Sequence, residues 1–155
     1  MSFRVKGLDV RTFQPLVGLS DTELHARNAR RVLADSSPGF PDRIEMRDAE
    51  LGESLLLVNY VHQPVAGPYR ASHAVYVLER PTQQYDRIDE IPQVLRSRMI
   101  SLRAFDEGGM IVDADLCPGA QLEAPIERLL RQPATAYLHL HYAKPGCFAC
   151  RVDRA

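Results

Sequence analysis

A chain of 155 residues, 45% hydrophobic and 25% charged, is long enough to form one folded domain with its own core. The formal net charge is −1 and the two signs are interleaved, so there is no basic stripe and we predict no nucleic-acid partner. No stretch of about 18 apolar residues occurs, so we predict no membrane segment and no membrane partner. Three cysteines are an odd number, which does not suit a disulfide framework, so we expect a cytoplasmic protein. From the chain length we expect a single domain over residues 1–155.

The N-terminal part predicts a strand followed by a capped helix. Residues Phe3–Val10 are predicted as a strand. Ser20 and Glu23 have the spacing of a capping box, which predicts a helix that begins there and runs through about Asn28. The local basic cluster is interpreted as a solvated face of this helix: Arg27, Arg30 and Arg31.

The middle of the chain predicts two strands that flank a loop. Ser54–Val61 is apolar on both faces, which is typical of a buried central strand. The loop that follows contains Pro64, Gly67 and Pro68. His73–Leu78 is rich in β-branched and aromatic residues and is predicted as a strand.

The second half predicts two helices and two hairpins. Asp89–Arg98 and Gln121–Arg131 are predicted as short helices. The segments Met99–Ala104 and Met110–Leu116 flank Asp106–Gly109, which is a strong hairpin signal. The last two predicted strands are Thr135–Tyr142 and Cys147–Val152. Runs of strands with about three short helices predict an α+β fold with a mostly antiparallel sheet.

The register of the first of these hairpins is predicted from its apolar residues. Pairing Leu102 with Val112 gives one apolar face. Arg103 and Asp113 then lie on the opposite face, where we expect a structural ion pair. Asp113 and Asp115 stand two apart on a strand, but two carboxylates alone are a weak signal for a bound cation.

The register of the C-terminal hairpin decides what its histidines and cysteines do. A loop formed by Ala143–Pro145 would place Leu140 opposite Phe148 and Leu138 opposite Cys150, which gives one apolar face. A two-residue loop is the alternative, and it would place Arg151 on the leucine face. We therefore prefer the three-residue loop.

In the preferred register His139, His141 and Cys147 share the polar face of the hairpin. Cys147 and Cys150 are three apart on a strand and point to opposite faces, so we predict no zinc site and no stoichiometric zinc. A thiol beside an imidazole is the arrangement of an activated nucleophile, which makes His141 and Cys147 candidate catalytic residues. The alternative is a thiol that packs beside a structural histidine.

A second candidate site lies in the loop after the buried strand. If this segment is extended, Arg70 and Ser72 project to the same side and offer donors to an anion. His62 and His73 flank the same loop. The alternative is that Arg70 pairs with a local carboxylate and holds the loop in place.

Several segments, in chain order, resemble bacterial domain-of-unknown-function family 1203: Met1–Val5, Gly18–Asp21, His62–Pro64, Pro68–Ser72, Ser101–Ala104, Val112–Asp115 and Pro145–Arg154. The resemblance implies a stand-alone protein of about this length and supplies no activity. It also implies that Cys147 fits the family pattern, whereas Cys150 occupies a position where a small apolar residue is more usual. Family members carry a cysteine near Asp42, which this chain lacks.

Two hypotheses of function follow. In the first, the protein binds or processes a small anionic molecule, with Cys147 and His141 as catalytic residues and no metal or other cofactor. The ligand-binding side chains would be Arg70, Ser72, His62, His73 and His139. In the second, it is a non-catalytic interaction or structural protein that forms a homodimer. The first requires Arg70, His141 and Cys147 to meet in one cavity, and the second requires them to be scattered.

Overall fold

Nine β-strands and three α-helices make up the computed structural model, which describes residues 1–155. In chain order the strands are β1 (Phe3–Lys6), β2 (Ala29–Leu33), β3 (Ser54–Gln63), β4 (Ala71–Leu78), β5 (Asp86–Ile88), β6 (Met99–Phe105), β7 (Ile111–Pro118), β8 (Tyr137–Tyr142) and β9 (Phe148–Arg154). The α-helices are α1 (Asp21–His25), α2 (Gln93–Arg96) and α3 (Glu123–Leu130). None of these helices is long and apolar enough to cross a membrane.

The strands form two sheets. The larger sheet has six strands in the order β5-β1-β9-β8-β6-β7, and the smaller has three in the order β2-β3-β4. Every pairing between these strands is antiparallel. Two antiparallel sheets with three short helices confirm the predicted α+β class.

The larger sheet is buried on both faces at its centre. One face packs against the helices in a cluster of 20 buried residues that includes Leu102, Leu140 and Leu129. The other face meets the smaller sheet in a cluster of 9 buried residues, where Phe148 joins Val58. All six residues of β8 are buried as a result, and side chains from β8 that face the smaller sheet are held in the interior.

The predicted capping box forms at the start of α1. The Ser20 hydroxyl accepts the backbone N–H of Glu23 at 3.2 Å, and the Glu23 carboxylate accepts the N–H of Ser20 at 2.8 Å. The helix ends at His25, earlier than predicted, and Asn28 adopts a left-handed φ of 54°. The chain then enters β2, so Arg31 lies in a strand and not on a helix face, and it pairs with Glu79 at 2.7 Å.

The other predicted helices form but are shorter. Asp89 does not begin the helix predicted over Asp89–Arg98, because its carboxylate accepts the backbone N–H of Phe3 at 2.9 Å and anchors β1 instead. The helix predicted over Gln121–Arg131 forms as α3, which lies within that range.

The first strand is also shorter than the predicted Phe3–Val10. It ends at Lys6. Gly7 then passes against the main chain of Ile44, where a Cβ atom would lie 2.3 Å from the Ile44 carbonyl oxygen. On its other side β1 pairs with β5, a strand of 3 residues that the sequence pattern did not predict.

The register predicted for the β6–β7 hairpin is wrong. Leu102 lies opposite Asp115 and not opposite Val112, and Arg103 lies opposite Ala114. A register shift at the Ala104–Phe105 step accompanies this pairing.

The carboxylates of β7 pair with the helix that covers the hairpin. Arg128 of α3 binds the carboxylates of Asp113 and Asp115, each at 3.0 Å. Both aspartates face α3, so the predicted ion pair between Arg103 and Asp113 is absent.

The preferred register of the β8–β9 hairpin is wrong as well. Leu140 lies opposite Cys150, whereas His141 lies opposite Phe148. The ladder shifts by one residue between these two pairs, which leaves Ala149 as the extra residue of a β-bulge. The bulge moves the Phe148 ring to the histidine face.

At the turn itself, the two strands follow the two-residue loop that the sequence analysis gave as the alternative. The N–H of Tyr142 donates to the carbonyl oxygen of Cys147 at 2.9 Å, as a two-residue register requires. Beyond the bulge, Arg151 lies opposite His139, so no arginine enters the leucine face. Cys147 and Cys150, predicted on opposite faces, belong to the same core cluster because the bulge separates them.

Candidate functional site

Three histidines meet between the two sheets. His139 and His141 are alternate residues of β8 and share one face, while His62 reaches them from β3 in the smaller sheet. Each offers one ring nitrogen, and the three nitrogens lie within 4.8 Å of one another. All three side chains are buried. We refer to His62, His139 and His141 as the histidine triad.

Two β-bulges shape the strands at the triad. The ladder between β3 and β4 shifts between Val61 and Gln63, and His62 is the residue at that shift. The bulge at Ala149 lies opposite the Leu140–His141 step of β8. Bulges redirect single side chains and are frequent next to functional sites. Here they lie on the strands that supply or flank every member of the triad.

One ring nitrogen of each histidine in the triad is buried without a hydrogen-bond partner. His141 Nδ1 lies 3.0 Å from the carbonyl oxygen of Gly146, and because a carbonyl only accepts, this nitrogen carries the proton. His141 Nε2 is therefore the nitrogen with a free lone pair, and it is buried without a partner. His62 Nδ1 and His139 Nδ1 are also buried and unpartnered.

The Phe148 ring packs against the triad. It is stacked on His62, with ring centroids 5.4 Å apart and planes 7° apart. His139 and His141 meet the same ring edge to face at 5.1 Å and 5.7 Å. The bulge at Ala149 thus supplies an apolar wall that fixes all three imidazole rings.

Burial keeps the triad uncharged at neutral pH. It is the largest cause that lowers the pKa of His62 to about 4 and the pKa values of His139 and His141 to about 3. The positive charge of Arg103 is the next cause for His62 and His141. A neutral imidazole is the form that binds a metal ion.

Arg103 lies beside the triad without a partner of its own. It is directly opposite His139 on β6, so the two side chains share a face. The guanidinium is half-buried, and burial lowers its pKa with no carboxylate to offset the effect. Since Asp113 is bound by Arg128, the positive charge of Arg103 is free to meet an anion.

A cavity of about 540 Å³ opens beside His62 and His139. Its walls also include Tyr60, Gln63, Tyr137, Phe148 and Arg151. Two members of the triad are therefore reachable from a space that holds a small molecule.

Cys147 lies in a different cavity from the triad. That cavity also has a volume of about 540 Å³, and its lining includes Arg43, Tyr142 and His73. Arg43 donates a hydrogen bond to Cys147 Sγ at 2.9 Å. The charged partner of the thiol is thus Arg43, whereas the sequence suggested His141. Cys150 is fully buried in the core, and burial raises its pKa to about 12.

The remaining candidate residues are on the outside of the fold. Arg70 is exposed and donates to the carbonyl oxygen of Pro64. It holds its loop through this backbone acceptor and not through a carboxylate. Ser72 is exposed on β4. The structure therefore does not bring Arg70, His141 and Cys147 into one cavity. It brings together His62, His139 and His141 instead.

The model of the family described as "Protein of unknown function (DUF1203)" matches residues 39–154. The chain belongs to this family. Comparison with curated proteins and with solved structures gives no match. The part of the chain that matches DUF1203 contains the whole triad, Arg43, Arg103 and Cys147.

Sequence reasoning about this DUF1203 protein missed Arg43 and assigned Arg103 to the wrong partner. Arg43 lies between predicted elements, where no periodicity indicates that its side chain is buried. Arg103 was recognised, but its predicted partner depended on a hairpin register that differs from the one observed. No local signal in the sequence joins His62 to a strand that begins 75 residues later, at Tyr137.

Proposed function

We propose that this protein binds a transition-metal ion, with zinc as the best fit, through His62, His139 and His141, and that it acts there on a small anionic molecule. The observation that carries the proposal is that each of the three buried histidines offers one ring nitrogen within 4.8 Å of those of the other two. In addition, one ring nitrogen of each histidine is buried without a hydrogen-bond partner. The three free cysteines fit a reducing, cytoplasmic setting, which is part of the proposal.

The energetic argument favours an ion over an empty cluster. A buried polar atom without a partner costs about 1–3 kcal/mol, so an unpartnered nitrogen on each of three buried imidazoles is costly. A single cation that accepts three lone pairs removes this cost, whereas apolar rings at the same positions would never have incurred it.

The donor set favours zinc and a site with chemistry. Three imidazoles suit zinc, copper, iron or nickel. Structural zinc sites are usually closed by four protein ligands, whereas catalytic ones keep three and leave one position open for water or substrate. A metal ion in such a site supplies a nucleophilic water at neutral pH. The cavity beside His62 and His139 gives a small molecule access to this position.

The charge around the triad favours an anionic substrate. Arg103 is half-buried beside His139 and has no carboxylate partner. A metal ion would add further positive charge, so a carboxylate or phosphate group is the complement of this site. This retains the small anionic molecule expected from the sequence and gives Arg103 the role first considered for Arg70.

Metal titration tests the proposal directly. Protein purified without a polyhistidine tag is stripped with a chelator and titrated with Zn²⁺, and separately with Co²⁺ followed by visible absorption. We expect one ion per chain and a Co²⁺ spectrum of a four-coordinate site. Substitution of a residue that only orients a metal ligand typically lowers metal affinity by about 10–100-fold. His139→Ala and His141→Ala remove ligands, so each should lower the affinity for Zn²⁺ by more than that. His25→Ala, an exposed histidine of α1, is the matched control and should bind normally.

Well under one ion per chain in the folded wild type, or equal binding by the His139→Ala variant, would overturn the proposal. The anion is tested on the Co²⁺ form with inorganic phosphate, with the visible spectrum as the readout. We expect Arg103→Gln to weaken the phosphate response by about tenfold, the order of one charge-assisted contact. Arg80→Gln, which changes an exposed arginine just after β4, is the control and should leave the response unchanged.

The alternative is the non-catalytic homodimer, and one observation favours it. Strand β7 is an edge of the larger sheet and exposes Val112 and Leu116, the latter at 59%. An edge strand with apolar side chains is a surface on which a second copy pairs. Sedimentation of the wild type and of Leu116→Lys tests this assembly. A dimer that the substitution dissociates, together with no metal binding, would make the homodimer the better account.

A further inference from the structure

A buried arginine without a carboxylate lies beneath the second cavity. Arg43 is 1% exposed. It donates to the carbonyl oxygen of Phe148 at 2.9 Å, to that of Pro41 at 2.6 Å and to Cys147 Sγ at 2.9 Å. Arg98, which is only half-buried, pairs with the carboxylate of Asp48 at 2.6 Å. Arg43 alone among the fully buried side chains carries a fixed charge with no such acid.

A buried guanidinium needs a negative partner, because an uncompensated charge in the interior is costly. The neighbouring Asp42 does not serve, since its carboxylate accepts the backbone N–H groups of Ile44 and Leu78 at 3.1 Å and 2.7 Å. Of the three groups that Arg43 contacts by hydrogen bonds, two are neutral carbonyls. Only the Cys147 sulfur is able to take a negative charge.

The cavity above this pair is shaped for a small molecule with an apolar body. Its walls include Leu57, Tyr76, Met99 and Pro145. Tyr142 lines it too, and its buried hydroxyl has no hydrogen-bond partner. Burial raises the pKa of this phenol, so it keeps its proton and is a donor for a polar atom of a ligand.

We propose that Cys147 is the nucleophile of a second reactive site in this cavity, that the Arg43 guanidinium on its sulfur stabilises the attacking thiolate form, and that the site takes small carbon electrophiles with an apolar body. The site does not depend on the histidine triad or on a metal. In its reaction the sulfur lone pair forms a bond to the electrophilic carbon, and the group displaced from that carbon leaves with its bonding electron pair. Arg43 loses its negative partner in that step, so a displaced anion is its natural replacement.

Brief alkylation of the native protein with iodoacetamide is the first test. The Cys147 sulfur displaces iodide and forms a thioether, and peptide mass spectrometry ranks the three cysteines. Cys117 is half-buried and Cys147 is only 8% exposed, so accessibility alone ranks Cys117 first. Burial also raises the pKa values of Cys117 and Cys150. We expect Cys147 to react about tenfold faster than either, because the thiolate is the attacking species.

Two further comparisons test the partner and the ligand class. Arg43→Lys keeps the charge but loses the planar fork, and we expect alkylation of Cys147 to slow by about tenfold. Arg31→Lys removes a guanidinium paired with Glu79 elsewhere and should leave the rate unchanged. N-phenyliodoacetamide adds an apolar ring, so its rate relative to iodoacetamide should rise at Cys147 and not at Cys117.

Cys147 no faster than Cys117 in the folded wild type overturns the proposal. So does an unchanged Cys147 rate in a folded Arg43→Lys variant, which would show that the guanidinium does not support the sulfur. If circular dichroism shows that Arg43→Lys is unfolded, the wild-type ranking of the three cysteines decides alone. No gain from the phenyl ring would show that the cavity does not recognise an apolar body.

Discussion

His141 Nδ1 lies 3.0 Å from the carbonyl oxygen of Gly146, and this contact fixes which nitrogen of the ring is free. The proton must sit on Nδ1, so Nε2 is left with a lone pair inside the protein. Metal-binding histidines are commonly oriented in this way, by a carbonyl or carboxylate on the nitrogen remote from the ion. The turn after β8 is therefore part of the site, although it contributes no ligand.

Substitution of Gly146 tests this role. Gly146 has a φ of 82°, a left-handed conformation that glycine adopts freely and alanine does not. We expect Gly146→Ala to lower the free energy of unfolding by about 1–2 kcal/mol. We also expect it to weaken Zn²⁺ binding about tenfold, because the carbonyl that orients His141 shifts. Chemical denaturation and Zn²⁺ titration measure the two effects.

Gly18→Ala is the matched control for that variant. Gly18 has a φ of 74°, and neither glycine has any atom within 4 Å of an added Cβ. Both variants should lose similar stability, and only Gly146→Ala should lose metal affinity. Equal metal affinity in the two variants would show that the Gly146 carbonyl does not orient the ligand.

Acid should destabilise the metal-free protein through the triad. The pKa of His62 is about 4 and those of His139 and His141 are about 3 in the folded state, against about 6.5 in the unfolded chain. The unfolded state therefore takes up more protons as the pH falls below about 6.5, and the stability present above that pH is lost. Three histidines together give a slope of up to about 4 kcal/mol per pH unit. Urea denaturation between pH 6.5 and 5 measures it.

His139→Phe separates this effect from the titration of carboxylates. The ring of His139 already packs against Phe105 and Phe148 at 5.0 Å and 5.1 Å, and its Nδ1 has no partner to lose. We expect the variant to bind no Zn²⁺ and to lose about one third of the pH slope. If the variant is less stable than the wild type by the same amount at every pH, the imidazole of His139 stabilises the fold through a contact and not through its titration.

Leu140 of β8 and Cys150 opposite it should differ in how much stability is lost when each is replaced by alanine. Leu140 and Cys150 are directly paired and fully buried. Leu140→Ala removes a large apolar side chain and should cost about 2–5 kcal/mol, whereas Cys150→Ala removes one sulfur atom and should cost less. Thermal melts of the two variants decide the order. A lower melting temperature for Cys150→Ala would mean that this cysteine does more than fill space.

The elements of the fold were predictable where a local signal defines them. The capping box of Ser20 and Glu23 forms as the sequence indicates, and the hairpin around residues 106–109 lies where its glycines predict. The strand β2 was not predicted, because Arg30 and Arg31 do not resemble a buried strand. It is held as a strand by backbone hydrogen bonds to β3, a partner more than 20 residues later in the chain, and local sequence does not show such a pairing.

The pairing registers of the hairpin strands were not predictable, because alternation of apolar and polar residues does not distinguish two sheet faces that are both buried. Leu140 and His141 are equally buried, so a preference for one all-apolar face could not detect the bulge at Ala149. The preferred register of the β8–β9 hairpin also predicts an order of burial: Leu138, Leu140, Phe148 and Cys150 should be more buried than Tyr137 and Arg151. This order holds in the structure. It holds although the register is wrong, so burial alone does not test register.

The candidate site was predictable residue by residue and not as an assembly. His62, His139 and His141 were each considered as candidates, but His141 was paired with a thiol, whereas His62 and His139 were assigned to ligand binding. Their meeting depends on the packing of one sheet on another, which leaves no trace in local spacing. For Arg103, a pairing was predicted but does not form, because its expected partner Asp113 binds Arg128 of α3, which follows later in the chain.

One peptide unit separates the two sites. The Gly146 carbonyl accepts from His141, and the next residue, Cys147, accepts from Arg43. The acceptor that orients His141 and the sulfur beside Arg43 therefore belong to consecutive residues of one turn, so any displacement of residues 146–147 would change both contacts together.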